Sequence, residues 1–394
     1  MSAIDPVVIV SATRTPLGRF QGDLSPLQAP ELGAHVIRAA LDRAGLAAER
    51  VDEVLFGCVL PAGQAPARQA ARGADLPDAV GATTINKVCG SGMKATMLAH
   101  DLILAGSASI AVAGGMESMS NAPYLLAKAR GGYRMGHDRI FDHMMLDGLE
   151  DAYEKGRSMG DFGEMAVEAY QFSRDDQDAY AVETLSRARA ATENGAFAAE
   201  ITPISVAAKG GPVTIAKDEH PQKVSPEKIP MLKPAFRKDG TITAASASAN
   251  ADGAAALILT RRSIAEREGL PILAEIKAHA THSQEPAWYT TAPIPAIRKV
   301  LDKTGWKIGD VDLFEINEAF AVVAMAAAKE LGIARDRLNV NGGACALGHP
   351  IGATGARLIV TLLHALERQG ARRGVAALCI GGGEATAIAV ERVG

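Results

Sequence analysis

At 394 residues the chain is long enough for two or three domains around a large core. Lys plus Arg number 41 against 45 Asp plus Glu, a net charge of -4 that leaves no basic excess for a phosphate backbone and argues against nucleic acid as a partner. The 48% hydrophobic and 22% charged composition excludes disorder, and no uncharged apolar run reaches the roughly 18–20 residues of a membrane span, so no membrane partner is expected.

Val7-Val8-Ile9-Val10 predicts a first strand, with no Lys or Arg before it and hence no basic leader; the expected address is cytoplasmic. An amphipathic helix then ends at Gly45, and Val54-Leu55-Phe56 predicts another strand. This plan recurs at a constant offset. Ile37-Arg38, Leu41-Asp42, Gly45 and Val51-Asp52 return as Ile297-Arg298, Leu301-Asp302, Gly305 and Val311-Asp312, followed by a strand at Leu313-Phe314-Glu315-Ile316. The same offset sets Cys89 opposite His349 and Gly92 opposite Gly352, each before a helix of small residues. After a short slip, Ile110-Ala111-Val112-Ala113-Gly114-Gly115-Met116-Glu117 matches Leu378-Cys379-Ile380-Gly381-Gly382-Gly383-Glu384; both read as a buried strand entering a Gly-rich turn. Alternating strands and helices in two similar halves favour α/β layering with strands buried on both faces.

Between the halves, Ser118 to about Asn250 is rich in Met, Gly, Pro and charge, with a helix over Arg174 to Asn194, and reads as an inserted cover. Lys209 to Pro234 is turn-rich and reads as an irregular surface segment. The strand Ala254-Ala255-Ala256-Leu257-Ile258-Leu259 then returns the chain to the first core, and Ala319 to Ala328 predicts a buried helix.

Four cysteines, at 58, 89, 345 and 379, form no C-x-x-C pair and are too scattered for a disulfide framework; they read as thiols. Cys89 follows Asn86-Lys87-Val88 and precedes Gly90-Ser91-Gly92, at the start of a helix. A helix N-terminus favours a thiolate and so lowers the thiol pKa, while the plainer reading is an inert buried Cys. His349, in Gly348-His349-Pro350, is able to act as a base or to be a satisfied structural His; no Gly-Lys-Ser/Thr ends either Gly-rich run, which argues against a nucleoside triphosphate. Cys379 ends a strand where backbone N–H groups can face a cleft, and Asn317-Glu318-Ala319-Phe320 sits at a strand-to-helix turn.

Together these four motifs, in order and spacing, resemble those of the thiolase family, and the resemblance covers essentially the whole chain. Arg14-Thr15-Pro16-Leu17-Gly18, Gly114 to Ser120, Arg174-Asp175-Asp176-Gln177-Asp178 and Asn339-Val340-Asn341-Gly342-Gly343 support it. The resemblance implies a duplicated five-layered α-β-α-β-α thiolase fold. It divides the chain into an N-terminal core (1–120 plus 250–273), an inserted loop domain (121–249) and a C-terminal core (274–394), assembled as a homodimer or homotetramer.

The activity it implies is acetyl-CoA C-acetyltransferase, joining two acetyl-CoA into acetoacetyl-CoA and CoA through an acetyl-cysteine; a broad-range 3-ketoacyl-CoA thiolase is the near alternative. Acyl-CoA and CoA are then substrates, and neither a cofactor nor a metal is expected. By the same resemblance Cys89 is the nucleophile and His349 takes its proton, while Cys379 exchanges the Cα proton of acetyl-CoA. Asn317 holds a water for the enolate oxygen, and the N–H groups of Cys89 and Gly381 meet the tetrahedral oxyanion. Such a donor is worth about 3 kcal/mol. Leu149, Met159, Phe236, Ala244, Ser248 and Phe320 match positions lining the pantetheine tunnel. The chain departs from the family wording with Ser246 for Asn, Ala249 for Gly, Ser158 for His before Met159, and an altered His220-Pro221-Gln222-Lys223 segment. Two readings from other classes are a non-catalytic acyl-CoA-binding scaffold, opposed by retention of all four site side chains, and a Cys–His hydrolase, in which Cys379 has no part.

Overall fold

The computed structural model describes residues 5–393. Its main strands are β1 (Val7–Arg14), β2 (Glu53–Gly57), β3 (Gly81–Ile85), β4 (Ile110–Ser118) and β5 (Ala251–Arg261), then β6 (Ala274–Ser283), β7 (Leu313–Ile316), β8 (Arg373–Ile380) and β9 (Glu384–Arg392). The helices that matter here are α1 (Ala29–Ala44), α2 (Ser91–Ala105), α3 (Met159–Tyr170), α4 (Arg174–Glu193), α5 (Pro293–Thr304), α6 (Ala321–Leu331) and α7 (Ile351–Arg368).

The duplication is visible in the strand order. The first half runs β3-β2-β4-β5-β1 and the second β7-β8-β9-β6, joined where Val8 and Ile9 of β1 pair with Glu275 and Ala274 of β6. The counterpart of β3 shrinks to a single parallel bridge between Phe314 and Leu338. α1 and α5 both end at a glycine with positive φ, Gly45 at 63° and Gly305 at 70°, where any Cβ is disfavoured. β5 lies between β1 and β4, so the chain does return to the first sheet after the long excursion.

Period-two alternation generates the layers. Val8 and Val10 of β1, with Ala254, Ala256 and Ile258 of β5, pack on α1; Val7, Ile9, Ala255, Leu257 and Leu259 face the opposite side, against α2 and α7. In the second half Ala376 and Leu378 of β8 join that central layer, while Val375, Ala377 and Cys379 face α5 and α6. The result is a helix layer, a sheet, the helix pair α2 and α7, the other sheet and a helix layer. Both strand faces are covered, which is why the strands read as continuous apolar runs.

The helix pair crosses closely because its contact residues lack side chains. A Cβ at Gly92 would lie 2.9 Å from the Ala356 nitrogen, and one at Gly355 would fall on the Met93 backbone. The glycine-rich segments of the two halves, however, differ. The expectation of a Gly turn after both strands holds only in the second half: β4 continues through Gly114 and Gly115 to Ser118, whereas β8 stops at Ile380 and turns through Gly382 and Gly383 at φ 92° and 88°.

Arg14 fastens the inserted region to the core. Its guanidinium donates to both Asp218 oxygens at 2.7 and 2.9 Å and to Glu200 at 2.5 Å, all fully buried. Burial by itself would lower the Arg14 pKa, but Asp218 and Glu200 outweigh it and hold it raised. Asp218 falls within the segment expected to be irregular surface, so part of that segment is an internal anchor. α6 begins at Ala321, because Phe320 is first paired with Ala247.

Candidate active site

Two helix starts define the site. At the first, β3 leads into Asn86-Lys87-Val88-Cys89, and Val88 adopts φ 46°, a conformation that a β-branched residue takes only under constraint. Local hydrogen bonds supply the constraint. Val88 N–H donates to Asn86 Oδ1 at 3.0 Å, Lys87 N–H to Ser91 Oγ at 2.8 Å, and Ser91 Oγ to the Val88 carbonyl at 2.6 Å. Cys89 is thereby held, partly buried, two residues before α2.

The helix-start argument predicts a lowered thiol pKa at Cys89, and the structure overturns it. Burial pushes the Cys89 thiol up to about 11, although hydrogen bonds from the Gly381 and Cys89 backbone N–H groups pull it down. At neutral pH Cys89 is therefore a thiol and needs a base. Those same two N–H groups converge on its sulfur.

At the second helix start, the imidazole orientation follows from its neighbours. Thr354 Oγ1 donates to the Pro350 carbonyl at 2.9 Å, so at 2.6 Å from His349 Nδ1 it accepts, and the ring proton sits on Nδ1. Nε2 is then an unprotonated acceptor, buried and without a partner among the described residues. Burial, with the positive Arg357 as a lesser cause, lowers the His349 pKa to about 3. The ring is neutral throughout the physiological range, as a base must be.

Cys379 is the last-but-one residue of β8 and fully buried; burial raises its pKa, and the nearby Cys89 raises it further. Asn317 follows β7 directly, its N–H donating to the Ala377 carbonyl at 3.0 Å, which sets it beside the end of β8. Both polar atoms of its fully buried side chain lack a partner among the described residues. Glu318 pins this turn by accepting from Tyr180, Thr184, Asn339 and the Cys345 N–H at 2.8–3.1 Å. Gly381 has no positive φ, and a Cβ there would meet only Met159 Sδ, at 3.1 Å. No local turn requires glycine at 381.

Leu149, Met159, Phe236, Ala244, Ser248 and Phe320 all line one cavity of about 380 Å³, and His349 lies in its wall. Phe236 and Phe320 meet edge to face at 5.5 Å, and the Ser248 N–H donates to the Ala319 carbonyl, tying the cavity wall to the Asn317 turn. Met159 also borders a second cleft, lined by Val88 and Gly381 next to Cys89. The departures from family wording are accommodated. Ser246 Oγ accepts from the Thr243 N–H, Ala249 contributes only its carbonyl to the His349 N–H, and Ser158 caps α3 together with Asp161. His220 starts a four-residue helix and lines the same cavity.

Two further residues serve the site without having been singled out. Glu117, buried at the end of β4, accepts from the Gly352 N–H at 2.9 Å and from the Val59 and Leu60 N–H groups, holding the first turn of α7 beside His349. Burial lifts its pKa to about 7. An acidic residue closing an apolar strand was the available signal. Tyr289 donates to the Met159 carbonyl at 3.0 Å and lies close enough to Cys379 and Cys89 for their charge to raise its own pKa after burial. Nothing local in the sequence marks it.

Fold and site together describe an α/β enzyme framework in which a neutral imidazole lines a largely apolar cavity and two neighbouring thiols, Cys89 and Cys379, lie at the ends of strand-to-helix and strand-to-turn connections. The chain matches the family descriptions "Thiolase, N-terminal domain" over residues 7–263 and "Thiolase, C-terminal domain" over 270–392. It is 50% identical over 390 residues to the acetyl-CoA acetyltransferase of Pseudomonas aeruginosa, covering 98% of this chain and 99% of that one. Among solved structures, the Bacillus anthracis acetyl-CoA acetyltransferase superposes at TM-score 0.96 with 41% identity over the full length of both chains. The Acat5 thiolase from Ascaris suum in complex with coenzyme A superposes at 0.94 with 42% identity, over 98% of this chain and 100% of the other. The chain belongs to the thiolase family.

Proposed function

We propose that the protein is an acetyl-CoA C-acetyltransferase, catalysing the reversible condensation of two acetyl-CoA into acetoacetyl-CoA and CoA. The observation that carries this reading is a protonated Cys89 and an unpartnered Nε2 lone pair on His349 at equivalent helix starts of the two halves, with a second thiol, Cys379, near Cys89. Relatives of about 50% identity over nearly the whole chain bear that activity as their name.

In the proposed sequence, His349 Nε2 takes the Cys89 proton as sulfur attacks the acetyl-CoA carbonyl, and CoA leaves with the proton of Cys379. The tetrahedral oxygen meets the Cys89 and Gly381 N–H groups. A second acetyl-CoA then loses a Cα proton to Cys379; its enolate oxygen faces His349 and a water on Asn317, and the carbon attacks the acetyl-cysteine. Cys379, a thiolate after protonating CoA, regains its proton from Cα, and its raised pKa makes that thiolate a strong base; Cys89 then leaves with the proton held by His349. The six cavity residues hold the pantetheine arm, and coenzyme A thioesters are substrates rather than resident cofactors.

The proposal extends to a homotetramer or homodimer in the cytoplasm. Self-association is supported by exposed apolar side chains in the insertion, where Leu126, Met135 and Ile140 are 52%, 99% and 65% exposed. Among the described residues no helix is long and apolar enough to cross a membrane. Light scattering and cell fractionation check these points. The activity itself is tested by CoA-dependent cleavage of acetoacetyl-CoA beside 3-ketohexanoyl-CoA, for wild type and Cys89→Ala. Cleavage of the four-carbon substrate alone is expected; equal cleavage of both makes the enzyme a broad-range 3-ketoacyl-CoA thiolase, and cleavage of neither returns it to a binding scaffold.

A further inference from the structure

Away from the cavity, a second cluster of side chains has the chemistry of a ligand set. His100 and Asp101, near the C-terminal end of α2, meet His279 of β6. The three facing atoms form a small triangle: His279 Nε2 lies 2.9 Å from Asp101 Oδ1 and 3.3 Å from His100 Nδ1, and His100 Nδ1 lies 3.1 Å from Asp101 Oδ1. Among the described residues this is the one group of three His, Cys, Asp or Glu side chains close enough to share an ion.

Hydrogen bonds alone satisfy the triangle poorly. With neutral imidazoles, if both nitrogens carry protons, both donate to Asp101 and the 3.3 Å edge opposes two N–H groups. If only one does, a bare nitrogen faces the carboxylate or the other ring. A central cation accepts electron pairs from all three atoms at once. The spacing suits one: ligand atoms about 2.0–2.1 Å from a tetrahedral ion lie about 3.3 Å apart. The rings stand at 89° to each other with centroids 5.0 Å apart, so both can aim a nitrogen lone pair at one point without stacking.

We propose that His100, Asp101 and His279 form a binding site for one divalent transition-metal cation of the zinc class, with a fourth position open to water. Two imidazoles and one carboxylate favour such an ion over calcium or magnesium, which take oxygen ligands. The His side chains are 13% and 16% exposed and Asp101 50%, which leaves an entry path. Lys303 is the nearby cation, and its Nζ is engaged with the His279 carbonyl at 2.8 Å. The bound ion would tie α2, whose start carries Cys89, to the first strand of the other half. It takes no part in acyl transfer.

Metal-stripped full-length protein titrated with Co2+ tests this. One Co2+ per chain should give the visible absorption of a four-coordinate ion, and His279→Asn and Asp101→Asn should each weaken binding at least about tenfold. Zn2+ should raise the melting temperature of wild type and not of either variant. Both variants retain Cys89, His349 and Cys379, so binding at the active-site thiols would persist in them. Equal Co2+ binding by wild type and variants, or no Co2+ bound by wild type, overturns the proposal. Asp101→Asn, at a half-exposed position, keeps the comparison available if His279→Asn does not fold, and none of these readouts depends on thiolase turnover.

Discussion

The segments Gly114-Gly115-Met116-Glu117 and Gly381-Gly382-Gly383-Glu384 descend from equivalent places in the two halves, yet one is strand and the other a turn. In the first half, α7 lies directly on β4. A Cβ at Gly115 would land on the Gly352 carbonyl, so glycine serves helix-on-sheet contact there. In the second half the chain bends away after Ile380 and leaves the Gly381 N–H facing Cys89. The glutamates diverge likewise: Glu117 accepts N–H groups inside the crossing, whereas Glu384 pairs with Lys87 near the nucleophile turn. One local pattern became structural and the other chemical because different elements pack on each.

The sharpest separation of duties lies at the two helix starts. Cys89→Ala should abolish the acyl-enzyme and cut thiolysis by about 10,000-fold or more, and His349→Ala by roughly 1000-fold, each with a near-native melting curve. If His349→Ala retained most activity, the division between the halves would fail. Next, Gly115→Ala should destabilise the protein by about 3 kcal/mol, read by denaturant unfolding, because backbone rather than a flexible side chain blocks the new methyl. In the matching segment, Gly381→Ala should unfold at nearly the wild-type temperature while kcat/KM falls about 10- to 100-fold, as the methyl enters the cleft beside Met159. A large loss of stability with turnover intact would make Gly381 another packing glycine.

A smaller effect concerns pH. Because His349 titrates near 3 when folded and near 6.5 when unfolded, the unfolded chain binds the extra proton between those values, and stability is lost as pH falls through that window. His349→Asn should therefore lose about 2–3 kcal/mol less than wild type between pH 7 and pH 4. The raised Cys89 pKa predicts a reactivity trend as well. Alkylation of Cys89 by iodoacetamide should keep accelerating from pH 7 to pH 10; a plateau near neutrality would restore the thiolate expected from the helix start alone.

That contrast marks how far the sequence could be read. The repeat, the Gly-capped helices, the strand entering β5 and the positions of Cys89, His349, Asn317 and Cys379 were legible because periodicity, caps and turn residues act within a few positions. The lowered thiol pKa failed because burial, decided by distant chain, outweighed a local dipole. The partners of Arg14, the hold of Glu117 on α7, the contact of Tyr289 with Met159 and the meeting of His279 with His100 join residues far apart in sequence, and no local pattern encodes them. Gly115 and Gly381 looked alike for the same reason.

The most direct test of the account is to mix the protein with acetyl-CoA, quench in acid and map acetylation by peptide mass spectrometry. One acetyl group on the peptide carrying Cys89, absent in Cys89→Ala and discharged by added CoA, is the predicted result. Acetylation of Cys379 in place of Cys89, or turnover without any acetyl-cysteine, would contradict it.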